Sequence, residues 1–530
     1  MNCRLCLHLD LLVFFLLIAF FATTAPAQTY KNPVIPGDFP DPTVIRVGDD
    51  FYAATTSGNW APHFPLLHSR DLINWEIVGA ILTETPKWAK GDFWAPEMIE
   101  DKGRYFVYYV GRRYEGRGRF EGKETNGTLC VAVASASKAT GPYTDQGPLV
   151  CQQMGSIDPF FVRDENGKPF LIWKEDGNAF DKPTWLWAQQ LDESGTKLIG
   201  KPTKLFRNTE PWEGGVVEGA YVLRRDGWFY FFYSGNACCG RSCNYAVGVA
   251  RSKTILGDWE KNPGNPILAA NSAWQCPGHG DIVGTADGRQ FLLYHAYRRR
   301  SDAFSIGRET LLDEVRFENG WPTVNNGRGP SDGLNSPFQK ISQHQPWDPN
   351  DEFSENVLLP QWNYPILGDE KLMLSGGFLS LTPGAGARTE SVITERTVSG
   401  NYAATTRIVR SSAGADESAG LSVYGGWRGD AVGIVFGGSR VSAWRRDANK
   451  QQDLASVSLP SIPEAVLLRI KADDGETFRF DYSTDEGRSW HDVGEKIAKT
   501  DIEGARLALI YDGRRSTPGY KFDWFHVKPD

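Results

Sequence analysis

One pattern recurs five times between positions 41 and 291 of this 530-residue chain: a small dipeptide, a short apolar strand, a polar hairpin turn, then an aromatic strand. It runs from Asp41-Pro42 to Phe51-Tyr52, from Ala95-Pro96 to Tyr105-Phe106, and from Asp158-Pro159 to Pro169-Phe170. It returns from Glu218-Gly219 to Phe229-Tyr230 and from His279-Gly280 to Gln290-Phe291. First residue and closing aromatic are 11, 11, 12, 12 and 12 residues apart, and successive starts are 54, 63, 60 and 61 apart. That spacing suits four strands per unit. Ser69 to Trp75, Ser137 to Tyr143 and Ser252 to Trp259 repeat a second motif in the outer halves. Strand runs rich in Val, Ile, Phe, Tyr and Trp between Gly, Asp and Asn turns read as all-β. Five such units predict a five-bladed β-propeller around a narrow channel. A β-sandwich with coincidental hairpins would leave the constant offsets unexplained.

In a propeller the first strand of every blade lines the channel and all start at one face. Asp41, Ala95, Asp158, Glu218 and His279 are therefore predicted to converge. Clustered carboxylates repel one another and lose hydration, so three in one ring point to chemistry rather than to turn formation.

A net charge of −8 argues against a phosphate-backbone partner. Arg4, the apolar run Leu11 to Ala22 and Ala25-Pro26-Ala27 read as a secretory leader over residues 1–27, cleaved before Gln28. No other stretch is apolar for long enough to span a bilayer, so no membrane partner is expected, and the localisation is secreted or periplasmic. Cys130, Cys151, Cys238, Cys239, Cys243 and Cys276 remain after the leader. Their even number suits disulfides in an oxidising compartment and leaves the pairing open. The absence of a C-x-x-C pair makes zinc an unsuitable reading.

The propeller is expected over 28–335 and a linker over 336–350. A second all-β domain is expected over 351–530, with alternation in Phe478 to Tyr482 and Phe522 to Val527. Its length and pattern fit a jelly-roll, concanavalin A-like β-sandwich.

The motifs resemble family 43 glycoside hydrolases. They are Asn32 to Thr43, Trp94-Ala95-Pro96-Glu97, Ser156-Ile157-Asp158-Pro159, Val217-Glu218-Gly219, Gly307-Arg308-Glu309 and Gly320-Trp321-Pro322. Asp351 to Ser354, Gln361-Trp362 and Phe522 to Phe525 resemble the lectin-like sandwich appended to β-xylosidases of that family. The resemblance implies Asp41 as general base, Glu218 as general acid and Asp158 as the residue that orients Glu218. It also implies inversion, which places the acid and base roughly 6.5–9.5 Å apart. Arg308 is similar to the family's pocket arginine, bonding substrate hydroxyls and the acid pair. Two readings of His279 stay open: a ligand, through water or directly, to a structural calcium in the channel, or a neutral histidine bonded to backbone. No cofactor is required for the chemistry.

Loops after the second strand of each blade are expected to form the rim. Trp60, Phe93 and Trp94 are candidate stacking walls for a sugar, with core packing the competing reading. Arg112, Arg113, Arg117, Arg119 and Arg298 to Arg300 make two rim loops basic. Solvated charge is the first reading of them and recognition of acidic side groups the second. The expected function is a secreted hydrolase releasing pentose residues from plant cell-wall polysaccharide or oligosaccharide, of the β-xylosidase and α-L-arabinofuranosidase type. The alternatives are an arabinanase, a galactan-acting enzyme, or a catalytically inactive carbohydrate-binding propeller. Oligomeric state is left open.

Overall fold

The computed structural model describes residues 29–529 apart from 121–122, 339–347, 367–370, 384–389, 413, 415, 426–429, 448–449, 496, 499–501 and 514–517. The leader expected over 1–27 lies outside the described residues, as does most of the expected linker.

Five four-stranded antiparallel sheets follow one another from Thr43 to Val324. Their innermost strands are Thr43–Val47, Trp94–Asp101, Ser156–Arg163, Val217–Arg225 and Trp274–Gly284. Each of these packs against the next, and the fifth packs against the first. Every gap between neighbouring sheets holds its own apolar core. Phe64 and Leu66 meet Met98 and Tyr109 in the first gap, and Tyr108 and Val131 meet Phe161 and Trp173 in the second. In the gap that closes the ring, Val44, Phe51 and Leu67 meet Val283, Phe291 and Leu312. Both faces of a blade are therefore covered, so Leu129–Ala136 is buried at seven successive positions instead of alternating. The segment before the first blade locks the ring. Asn32 donates to the Leu312 and Ser331 carbonyls, and Ile35 bridges to Thr310.

In or just before each innermost strand one residue adopts the left-handed conformation, Asp41 (φ 55°), Ala95 (42°), Asp158 (52°), Gly219 (62°) and His279 (41°), and in the last four it sits at a break in the pairing. This corrects the repeat phase read from sequence. The fourth unit is in register at Gly219, and Glu218 stands one position earlier, equivalent to Trp94 and Ile157. The 12-residue offset from Glu218 matched the third and fifth units by coincidence. Their hairpin turns are longer, whereas the fourth unit shares the two-residue turn of the first and second. Bulges re-aim side chains. Here they turn Asp41, Asp158 and His279 together at one mouth.

From Asp351 the chain builds two packed sheets. One has Tyr520–Pro529, Tyr402–Arg410 and Ala465–Asp473 at its centre, and the other is six-stranded around Ser418–Tyr424 and Arg506–Asp512. Leu379, Ile408, Leu421, Ile434, Leu468, Phe480 and Leu509 fill the space between them. Tyr402–Arg410 alternates buried and half-buried residues, as a strand with one face on a core should.

The sandwich is docked on the propeller. Tyr364–Pro365 pairs with Trp60–Ala61, and Arg396 donates to the Asp38 carbonyl at 2.8 Å while stacking over Phe39. Arg396 and Arg506 share the Asn363 side-chain oxygen at 3.1 and 2.9 Å.

Candidate active site

Asp41 sits at the mouth of the channel with four partners. Its carboxylate accepts from Thr56 Oγ1 at 2.7 Å and from Arg308 at 3.1 Å, and His295 Nδ1 and His279 Nδ1 lie 3.2 and 3.6 Å away. Thr56 also accepts from the Ala95 backbone N–H, tying the first blade to the second. Burial would push the Asp41 carboxyl up, but Arg308, His295 and His279 outweigh it and hold it well below the usual range. Asp41 is thus a carboxylate at any working pH. His295 is fully buried, and its pKa falls to about 4, chiefly from that burial. Its Nδ1 accepts the Asp41 backbone N–H.

Glu218 is clamped on the facing side. Lys174 Nζ donates to one oxygen at 2.6 Å and Tyr245 Oη to the other at 2.8 Å. Lys174, 1% exposed at its side chain, also reaches Asp176 at 3.1 Å. Asp158 accepts the Gly219 N–H at 3.0 Å and is 6% exposed. Its carboxyl is pushed up to about 6, first by burial and then by the neighbouring Glu218 and Asp41 charges, against the pull of His279 and Lys174. The structure therefore brings all three expected carboxylates into one electrostatic unit, along with His279 and Arg308.

Burial opposes charge on His279, yet Asp158, Asp41 and Glu218 outweigh it and raise its pKa above the ordinary value. Calcium, one expected partner of His279, favours oxygen donors. Among the described residues no group of three His, Cys, Asp or Glu is arranged to hold a metal ion. Its backbone N–H donates to Ser234 Oγ at 2.9 Å.

Of the three expected carboxylates, Arg308 reaches Asp41, at 3.1 Å. Two expected stacking walls are corrected. Trp60 is 6% exposed and packs on Val392, Tyr424, Trp444 and Ile510 of the sandwich, with the Arg506 guanidinium 4.9 Å from its ring. Phe93 is fully buried and stacks on His63, with centroids 3.8 Å apart. Both are packing residues: the chain after Ala54 bends toward the sandwich, and Phe93 points into the core between the first two blades. Trp94 is half-buried against Val110, Leu129 and Ile157.

Lys174, Tyr245, His295 and Thr56 were not read from the sequence. Lys174 had a signal, a lysine closing the apolar run Phe170 to Trp173, which a buried ion pair explains.

Six cysteines of the described residues pair as Cys130–Cys151, Cys238–Cys239 and Cys243–Cys276. The last two brace the rim loop that leads into Tyr245. Glu503, from the sandwich, accepts from Tyr297 Oη and from the Gly240 N–H in that loop.

Asp41, Asp158 and Glu218 thus share one electrostatic neighbourhood in a propeller that carries a docked β-sandwich. Residues 30–322 match the model of glycosyl hydrolases family 43, and residues 350–528 match the β-xylosidase C-terminal concanavalin A-like domain. The chain belongs to glycosyl hydrolases family 43. It is 32% identical over 320 residues to xylosidase/arabinosidase 43B of Humicola insolens, covering 57% of this chain and 56% of that protein. It is 30% identical over 362 residues to a xylan 1,3-β-xylosidase of a Vibrio species, covering 62% and 64%. The matched regions thus span rather more than half the length of these relatives. The crystal structure of the family 43 protein BlXynB from Bacillus licheniformis superposes with a TM-score of 0.80 at 24% identity, over 95% of this chain and 100% of that one.

Proposed function

We propose that the protein is a secreted, inverting glycoside hydrolase that releases pentose residues from plant polysaccharide or oligosaccharide, of the β-xylosidase and α-L-arabinofuranosidase type. The names of its relatives support the substrate class. The observation that carries the reading is the division of the mouth into two unlike carboxylates: Asp41 kept ionised by Arg308, and Glu218 clamped by Tyr245 and Lys174 beside Asp158, whose carboxyl burial pushes up. Asp41 takes a proton from water as that water attacks the anomeric carbon. Glu218 delivers a proton to the departing oxygen. Asp158 positions Glu218 through Gly219 and shares its electrostatic environment. His279, with Nδ1 3.6 Å from the Asp41 carboxylate, helps keep Asp41 in place, and Arg308 and Trp94 meet the sugar. The leader reading places the enzyme outside the cytoplasm.

Glu218→Gln should lose most activity on pentosides with poor leaving groups and far less on activated aryl pentosides, which need little protonation. Asp41→Asn should fail on both. Equal losses for the two substrates in Glu218→Gln would count against its acid role. Retention of anomeric configuration in the first-formed sugar, read by NMR, would reject the inverting mechanism.

A further inference from the structure

Beside the catalytic mouth, between the second and third blades, lies a cavity of about 490 Å3 that the proposed reaction does not use. Three guanidinium-bearing residues line it, Arg113, Arg117 and Arg119, facing a single lining carboxylate, Glu124. Phe180 forms part of its wall, with the Arg119 guanidinium 5.9 Å from the ring. Arg119 also reaches Asp181 at 3.4 Å, at an exposed position. Arg113 uses its Nε on the Glu115 carbonyl. Arg117 makes no side-chain bond among the described residues. The chain as a whole carries a charge of −8, so three arginines around one cavity run against the general balance.

The cavity is built, not incidental. Its hairpin, Arg117–Phe120 with Lys123–Asn126, is anchored by the buried Arg112, which bonds Asp92, Thr125 Oγ1 and the Gly127 carbonyl. The Cys130–Cys151 disulfide holds another part of the lining. The opposite wall is wired to the catalytic acid. The segment carrying Phe180 begins just after Asp176, whose N–H donates to the Gly155 carbonyl and whose carboxylate holds Lys174, the partner of Glu218.

We propose that this cavity is a subsite for a carboxylate-bearing sugar: a uronate side group on the portion of the chain that leaves. The proposal rests on the pentosidase reading above. Guanidinium groups recognise carboxylates through paired charge-assisted hydrogen bonds, and Phe180 offers an apolar surface to the C–H face of a sugar ring. The volume is in the range that holds one small ligand. An anion placed there also relieves the mutual repulsion of the three arginines. The chain that carries Phe180 follows directly from Lys174 and Asp176, which hold Glu218, the proposed proton donor to the leaving group.

The test compares three substrates: a neutral aryl pentoside, a neutral pentose oligosaccharide, and the same oligosaccharide carrying a glucuronate side group. The wild type should favour the acidic oligosaccharide over the neutral one, and about 0.5 M salt should erode that preference by screening. Arg117→Ala should lower kcat/KM on the acidic oligosaccharide about 10-fold, the loss expected for one charge-assisted bond, and Phe180→Ala should lower it through the lost apolar wall. They should leave the aryl pentoside within about 2-fold, the marker that the variants fold. Equal wild-type rates on acidic and neutral oligosaccharides, or no effect of Arg117→Ala, would overturn the subsite while leaving the pentosidase reading intact. If no pentoside is cleaved at all, that reading falls, and calorimetry with the acidic oligosaccharide then decides the subsite alone. Binding that Arg117→Ala weakens supports it, and no binding refutes it.

Discussion

Tyr245 lies nearly parallel to His295, with ring centres 5.8 Å apart and planes within 11°. Its hydroxyl donates to Glu218, while His295 meets both the backbone and the carboxylate of Asp41. One stacked pair thus spans the gap between the two carboxylates proposed to do the chemistry. Tyr245→Phe keeps the stack and removes the bond to Glu218. It should lower kcat about 10-fold, the effect of one hydrogen bond to a charged group, with KM and melting temperature nearly unchanged. A variant of unchanged kcat would show that Lys174 alone positions Glu218.

Lys174 is a buried cation joining Glu218 to Asp176, and Asp158 also feels its charge. Lys174→Met fills a similar volume and leaves these carboxylates without compensation. Breaking a buried pair in this way costs about 3–5 kcal/mol, so denaturant unfolding should report a loss of that order together with a large fall in kcat. A loss under about 1 kcal/mol would mean that water or a rearranged side chain replaces the lysine.

Stability should fall as pH rises from about 4 to 7. Asp158 and Asp281 are each raised to about 6 by burial, and Glu97, against Asp281, is raised further. Between their unfolded and folded values the native state holds protons that the unfolded chain has released. Their contribution is fully present below the unfolded value and is lost as pH passes the folded one. His279, raised above its ordinary value, acts in the same direction at higher pH. Asp41 is depressed, so its contribution is lost in acid instead. Asp158→Asn should flatten the decline and be more stable than wild type at pH 7, by on the order of 1–3 kcal/mol. Melting curves at pH 4.5, 6 and 7.5 check this, and a wild-type melting temperature that rises across the series would contradict it.

Trp60→Ala should destabilise by about 3–5 kcal/mol, because it empties a site packed by both domains. The ratio of xyloside to arabinoside activity should stay constant. A changed ratio at unchanged melting temperature would restore Trp60 to the rim.

The parts of this molecule legible in sequence are those that repeat. Asp41-Pro42 and Asp158-Pro159 mark the left-handed bulge twice over, so the ring and two of its acids followed from spacing. Glu218 was identified for a partly mistaken reason, since Gly219 holds the bulge and the turn lengths happened to compensate. Lys174, Tyr245 and His295 sit on or beside second and third strands, where an inward residue looks like any other strand residue until the blades close. Trp60 and Phe93 show the converse limit. A tryptophan in a loop after a second strand looks like rim, and the sandwich that covers it belongs to a part of the chain over 300 residues away.

The contact of Glu503 with Tyr297 and Gly240 bears on any attempt to redesign specificity. The carboxylate that props the Cys238–Cys239 loop comes from 206 residues beyond Tyr297, in the other fold. Grafting that loop from a relative, without its matching sandwich turn, transfers a shape stripped of its support. Loop and turn are best exchanged as a pair.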